Sequence, residues 1–139
     1  MKQLRRVLIV VLLGCACNKA APELIMPPAG VTVWNVTYKP ATVSTCTATT
    51  PDSGTASMTA DPSGTPLTLT DLSGTLTQGG DPSIVFKRDG GGTYSWTDPT
   101  GRATISFKFK SQTNAEGESK RLGIPADPCS ATWPFFLAR

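Results

Sequence analysis

The residue types that most often carry catalysis are either missing from this chain or placed in turns. Histidine is absent, which excludes His-based triads, Cys-His pairs and the usual zinc sites. All seven aspartates lie in turn signals that contain Gly, Pro or Ser, where a carboxylate commonly bonds nearby backbone. They are Asp52, Asp61, Asp71, Asp81, Asp89, Asp98 and Asp127.

The remaining carboxylates and the one Ser-Lys pair also lie in segments that favour loops. Glu23 falls in a proline-containing stretch, and Glu116 and Glu118 fall in a polar, Gly-containing segment, so no carboxylate is predicted inside a strand. General acid and base catalysis needs two carboxyl groups in different environments. Ser119 and Lys120 share that polar segment, where nothing would make the lysine a base. No phosphate-binding or dinucleotide motif is present. We expect no enzyme, no metal and no cofactor.

A basic strand face is the first feature that could bind a partner. Three cations alternate along one predicted strand and could meet an acidic protein or an anionic glycan. A solvated face is the alternative interpretation, because outward lysines also discourage edge pairing. The three are Arg102, Lys108 and Lys110.

The aromatic residues are the second such feature. Tryptophans on three predicted strands could line a ligand pocket at a barrel mouth, or they could simply fill the core. They are Trp34, Trp96 and Trp133.

The elements that must position these residues are predicted to be strands. Twenty threonines and closely spaced Gly, Pro and Asp turn signals indicate many short strands. The clearest alternation places Ala103, Ile105, Phe107 and Phe109 on one face and polar residues on the other. No window carries a helical apolar stripe. We predict an all-β fold, an antiparallel meander of about eight strands, closed as a small barrel or folded into a sandwich.

The amino terminus has the features of an export signal. Lys2, Arg5 and Arg6 precede an apolar run at 7–13, which is too short to span a bilayer but fits a signal peptide. Leu12-Leu13-Gly14-Cys15 resembles the bacterial lipobox. The resemblance implies a signal peptide at 1–14, lipidation of Cys15, and a cell-envelope location; Ala16 favours the outer membrane. Ordinary cleavage after Ala16 is the alternative.

Removal of that signal makes the mature chain neutral. Three of the thirteen basic residues leave with it, so ten basic residues face ten acidic ones. A neutral domain lacks the basic surface that nucleic-acid binding needs. Residues 15–30, rich in proline, form a lipidated tether, and residues 31–139 form a single domain of sufficient length to bury a core.

Export also permits disulfides. With Cys15 acylated, Cys46 and Cys129 are the pair inside the domain, each on the apolar face of its strand. A bridge between them would join the second strand to the last. Cys17 would remain as a free thiol, a second acyl site or an intermolecular link.

One central segment resembles the membrane-bound inhibitors of C-type lysozyme, which are lipidated eight-stranded barrels with a disulfide. The matching residues are Gly91-Gly92-Thr93-Tyr94, Trp96-Thr97, Gly101 and Ala103-Thr104. Asp98-Pro99-Thr100 stands where that family has its inhibitory lysine. The resemblance implies inhibition of a lysozyme-like hydrolase.

Together these features predict a non-enzymatic lipoprotein of the cell envelope. It would act as a binding or assembly component, held to the membrane by its lipid and contacting a protein partner. A hydrolase inhibitor and a barrel that binds a small ligand are the alternatives.

Overall fold

The structure is a computed structural model that describes residues 23–72 and 83–139. The predicted signal peptide, Cys15 and Cys17 lie outside the described residues. Within the described ranges, no helix has the length and apolarity needed to cross a membrane. The strands are β1 (Gly30–Tyr38), β2 (Val43–Ser44), β3 (Gly54–Ala60), β4 (Leu67–Asp71), β5 (Ser83–Arg88), β6 (Thr93–Thr97), β7 (Ala103–Phe109), β8 (Asn114–Arg121) and β9 (Ala131–Ala138).

Eight of these strands close into an antiparallel barrel. Each strand from β3 to β8 pairs with its successor, and β1 pairs with both β3 and β9. Where β1 ends, the short strand β2 continues along β9 and pairs Val43 with Thr132 and Ser44 with Ala131. The predicted all-β antiparallel meander is confirmed, and the pairing of β1 with β9 makes it a barrel rather than a sandwich.

Inward side chains fill the barrel, because successive strand residues point to opposite faces. The ring centroid of Phe107 lies 4.9 Å from that of Phe86, 5.5 Å from that of Tyr94 and 5.8 Å from that of Phe109. Trp34 packs edge-on against Phe109 at 5.6 Å. An eight-stranded barrel is just wide enough to be filled by side chains, and here large rings occupy that space.

Strand β8 corrects one expectation. The polar segment that the sequence predicts as a loop is a strand that pairs with β7 and β9, and it carries Glu116 and Glu118. The prediction that no carboxylate lies in a strand is therefore wrong. Its inward positions are small because the neighbouring strands bring large rings to them: Gly117 lies between Phe107 and Phe135. Small inward residues hide the apolar alternation by which strands are recognised.

The described residues before β1 cover one end of the barrel, which we call the plugged end. The carbonyl oxygen of Met26 accepts a hydrogen bond from Gln112 Nε2 at 2.8 Å, and its sulfur accepts one from Arg88 Nη1 at 2.6 Å. Pro27 is buried at the same end. This part of the predicted tether lies against the barrel.

The opposite end, which we call the disulfide end, carries the bond between Cys46 and Cys129. Their Cα atoms are 5.3 Å apart and the residues are separated by 83 positions. Beside the bond, Thr45 N donates to Ser130 O at 2.9 Å and Ser130 N donates to Thr45 Oγ1 at 2.9 Å. The predicted disulfide is confirmed, and it ties the segment after β2 to the segment before β9.

Candidate binding cleft

The wall of the barrel opens between β5 and β6. The described pairing of these strands consists of Lys87 with Ser95 and Arg88 with Tyr94, whereas β5 pairs with β4 over four positions and β6 with β7 over five. The two strands therefore part as they run from the 89–92 turn towards the disulfide end.

Backbone groups line both edges of this opening. In an antiparallel ladder, the N–H and C=O of one residue point to the same neighbour, and those of the next residue point to the other. Asp89 N bonds Thr93 O across the turn, and Asp98 N bonds Ala103 O on the far side of β6. By this alternation, the amide groups of Val85 and Thr97 face the opening, and neither has a ladder partner there among the described residues.

A cavity of about 240 Å³ occupies the opening, and we call it the seam cleft. It is lined by Val85 and Lys87 of β5 and by Ser95, Trp96 and Thr97 of β6. Val85 is exposed and Trp96 is half-buried. The cleft thus combines an aromatic surface, an ammonium group, hydroxyls and backbone amides. Such a mixture suits binding, because apolar area supplies affinity and a few polar groups fix orientation.

The three tryptophans predicted as pocket lining have different surroundings. Trp34 is 0% exposed and donates its indole N–H to Thr32 Oγ1 at 2.7 Å, and Trp133 is 6% exposed. Both belong to the packed core. Trp96 alone among the three lines the seam cleft. Val85 is a large apolar residue at an outward strand position. Such a residue is a sequence signal for a surface site, and it was not among the predicted site residues.

A small polar cluster lies inside the barrel towards the disulfide end. Burial raises the pKa of Tyr38, a hydrogen bond with Ser119 lowers it in part, and the charge of Asp71 raises it further. Asp71 is buried at the end of β4, so it also contradicts the prediction that no carboxylate lies in a strand, while its bonding to turn backbone stays a prediction. The indole N–H of Trp133 is buried with no hydrogen-bond partner among the described residues.

The predicted basic face is spread along the whole of β7. Arg102 lies at the disulfide end, 3.9 Å from Asp127, and Lys110 lies near the plugged end, 3.5 Å from Glu116. A hydrogen bond from the Thr93 backbone is the largest cause of the lowered pKa of Asp89, and the nearby charge of Lys108 lowers that pKa further. Each of the three cations therefore has an acidic neighbour, and the role of this face in partner binding stays a prediction.

Three turn aspartates bind backbone as the sequence predicts. Asp98 accepts hydrogen bonds from Thr100 N at 2.8 Å and Arg102 N at 3.0 Å, and the Thr100 hydroxyl is the largest cause of its lowered pKa. Asp61 and Asp89 bind the backbone of their own turns in the same way, and their pKa values are also lowered. The described residues contain no cluster of potential metal ligands.

Comparison of the chain with protein families, with curated proteins and with solved structures finds no significant match.

Proposed function

We propose that this protein is an exported, lipid-anchored, non-enzymatic binding component of the bacterial envelope, and that an extended segment of a protein partner docks in the seam cleft. The observation that carries the proposal is the parting of β5 from β6 around Trp96. The lipobox-like residues ending at Cys15 support the anchor, and the lack of histidine supports a role without catalysis.

An extended peptide fits the chemistry of the cleft. Peptides that add to a sheet gain affinity from main-chain hydrogen bonds and specificity from pockets that take alternate side chains. The amide groups of Val85 and Thr97 supply the first kind of contact, and Trp96 supplies the apolar surface for the second. Lys87 at the rim favours a partner segment with a nearby carboxylate.

The small-ligand alternative has less support. It predicts a pocket lined by the three tryptophans at the barrel mouth, but Trp34 and Trp133 belong to the packed core. The inhibitor alternative is supported by the barrel and the disulfide, since the resemblance to the lysozyme inhibitors implies both. Its active loop, however, corresponds to a hairpin in which Asp98 is committed to its own backbone.

Crosslinking from the cleft in living cells tests the proposal, with a matched control on the opposite wall. Val85 and Val33 both point outward from strands and are 53% and 56% exposed. A photoreactive amino acid replaces one or the other in the full chain. We expect a discrete protein adduct from position 85 and none from position 33. Equal adducts from both positions, or none from either, would contradict the cleft as the docking site.

Truncation of the aromatic surface gives an independent measurement on the captured partner. Trp96→Ala should weaken binding by about 2 kcal/mol or more, as for a buried aromatic anchor. Phe136→Ala is the control, because Phe136 is also a half-buried ring, on β9 beneath Lys39. Val85→Asp serves if Trp96→Ala unfolds the barrel, since Val85 is exposed. Unchanged affinity in both cleft variants would exclude the site.

A further inference from the structure

The segment before β1 is fixed to the plugged end at several points. Beyond the contacts of Met26 with Gln112 and Arg88, the side chain of Leu24 lies close to Gly92 in the turn between β5 and β6, and Met26 lies against Gly64 in the turn between β3 and β4. Three hairpins therefore hold this segment. Glu23, where the described chain begins, therefore has a fixed position relative to the barrel.

The position of Glu23 limits how far the barrel stands from its anchor. Eight residue steps separate Cys15 from Glu23, which span at most about 29 Å when fully extended. A strand of nine residues such as β1 is itself about 30 Å long. The tether is thus no longer than the barrel, so the plugged end, and not the disulfide end, is the end that lies next to the anchored membrane.

Apolar side chains are exposed at this same end. Leu24, Ile25 and Val31 are 37%, 40% and 71% exposed, and Val31 lies at the beginning of β1. Met26 and Pro27 of this segment face the barrel, whereas Ile25 and the part of Leu24 that does not contact Gly92 are open to solvent. Nothing among the described residues covers their exposed surface.

We propose that the plugged end is a lipid-contacting surface, on which Leu24, Ile25 and Val31 enter the interfacial region of the bilayer that holds Cys15. This inference rests on the proposed lipid anchor. Apolar side chains at an interface add binding to that of a lipid chain, so the surface holds the barrel upright. The seam cleft, which opens from Lys87 and Ser95 towards the disulfide end, then faces away from the membrane.

Lipid crosslinking in the full chain tests the surface. A photoreactive amino acid is placed at Ile25 or Val31, and for comparison at Val43 or Leu122, which are exposed apolar residues near the disulfide end. The protein is expressed in a bacterial host, isolated membranes are irradiated, and phospholipid adducts are measured by mass spectrometry. We expect several-fold more phospholipid adduct at positions 25 and 31 than at positions 43 and 122.

The anchor is measured separately in the same preparations. The mass of the amino-terminal peptide reports a diacylglycerol on Cys15, and Cys15→Ser should lose both that mass and the lipid adducts. If Cys15 carries lipid but all four positions give equal adducts, or if positions 25 and 31 crosslink mainly to protein, the surface is overturned while the anchor stands. If Cys15 carries no lipid, the proposed anchor and the surface that depends on it both fail.

Discussion

Gly117 lies at a crowded position of the barrel wall. A methyl group added there would collide with the carbonyl oxygen of Ser106 and would come within 2.8 Å of Phe135 Cζ. Glycine in a strand usually weakens it, and its presence often marks a place where another group approaches closely. Here the approaching groups are the backbone of β7 at Ser106 and the ring of Phe135.

Gly117→Ala should therefore destabilise the protein by about 1–3 kcal/mol, the usual penalty for overpacking. Gly90→Ala is the matched control, because no atom lies within 4 Å of a side chain added at that exposed turn. Chemical denaturation of both oxidised variants measures the difference. Equal stabilities would show that the strands around Gly117 can shift to admit a methyl group.

The two tyrosines of the chain should report folding at alkaline pH. Burial is the largest cause that raises the pKa of both Tyr38 and Tyr94. The unfolded chain releases these protons near pH 10.0, so the stability that they contribute is present below that pH and is lost as the pH rises above it.

We expect phenolate absorbance to appear in one step, together with the loss of the β-sheet circular dichroism signal. Tyr38→Phe should remove about half of the absorbance change, since one of two phenols remains. A reversible titration of either tyrosine near pH 10.0 with the sheet intact would contradict the buried environment.

At the scale of the strands, the seam between β5 and β6 makes a distinct prediction for hydrogen exchange. The amides of Val85 and Thr97 face the opening, whereas those of Phe86 and Trp96 point to the paired strands β4 and β7. Amides without a partner exchange through small local openings, and core ladder amides exchange only through larger unfolding.

Nuclear magnetic resonance should thus find fast exchange at Val85 and Thr97 and strong protection at Phe86 and Trp96. Each strand supplies its own control, since the compared residues are adjacent. Equal protection at all four amides would mean that the seam is closed in solution, and the proposed docking site would lose its backbone contacts.

The sequence predicted the strands whose two faces differ, and it failed where they do not. Ile105, Phe107 and Phe109 alternate with polar residues, so β7 follows directly from its pattern. In β8, Gly117 and Ser119 point inward, and small residues on a core face resemble a loop. The outward Val85 was a sequence signal for an apolar surface site, but the opening itself was not predictable, because it arises where two strands separate.

At the scale of the whole molecule, charge is distributed unevenly around a neutral barrel. The outer faces of β7 and β8 carry ion pairs such as Lys110 with Glu116 and Lys120 with Glu118. The outward positions of β3 and β4 carry threonine and serine instead. The seam cleft lies beside this uncharged sector, with Lys87 as the one cation among its described lining residues. Binding there should consequently depend weakly on salt.

The same scale explains the importance of the disulfide. Closure of the barrel requires β1 to meet β9, the strands most distant in sequence, over four residue pairs. Contacts of such long range are the slowest to gain, because the loop entropy is lost before they form. The bond between Cys46 and Cys129 links the segments beside this closing contact. It therefore lowers the conformational entropy of the unfolded chain in the segments that must meet to close the barrel.

Replacing both cysteines in Cys46→Ala/Cys129→Ala should lower the free energy of unfolding by about 4 to 5 kcal/mol, from the loop entropy of the unfolded chain. Cys17→Ala is the control, since that residue precedes the barrel domain. Chemical denaturation of the wild type, the double variant and Cys17→Ala measures their free energies of unfolding. The wild type is also measured under reducing conditions. If the double variant is as stable as Cys17→Ala, the pairing of β1 with β9 holds the barrel closed without the bond.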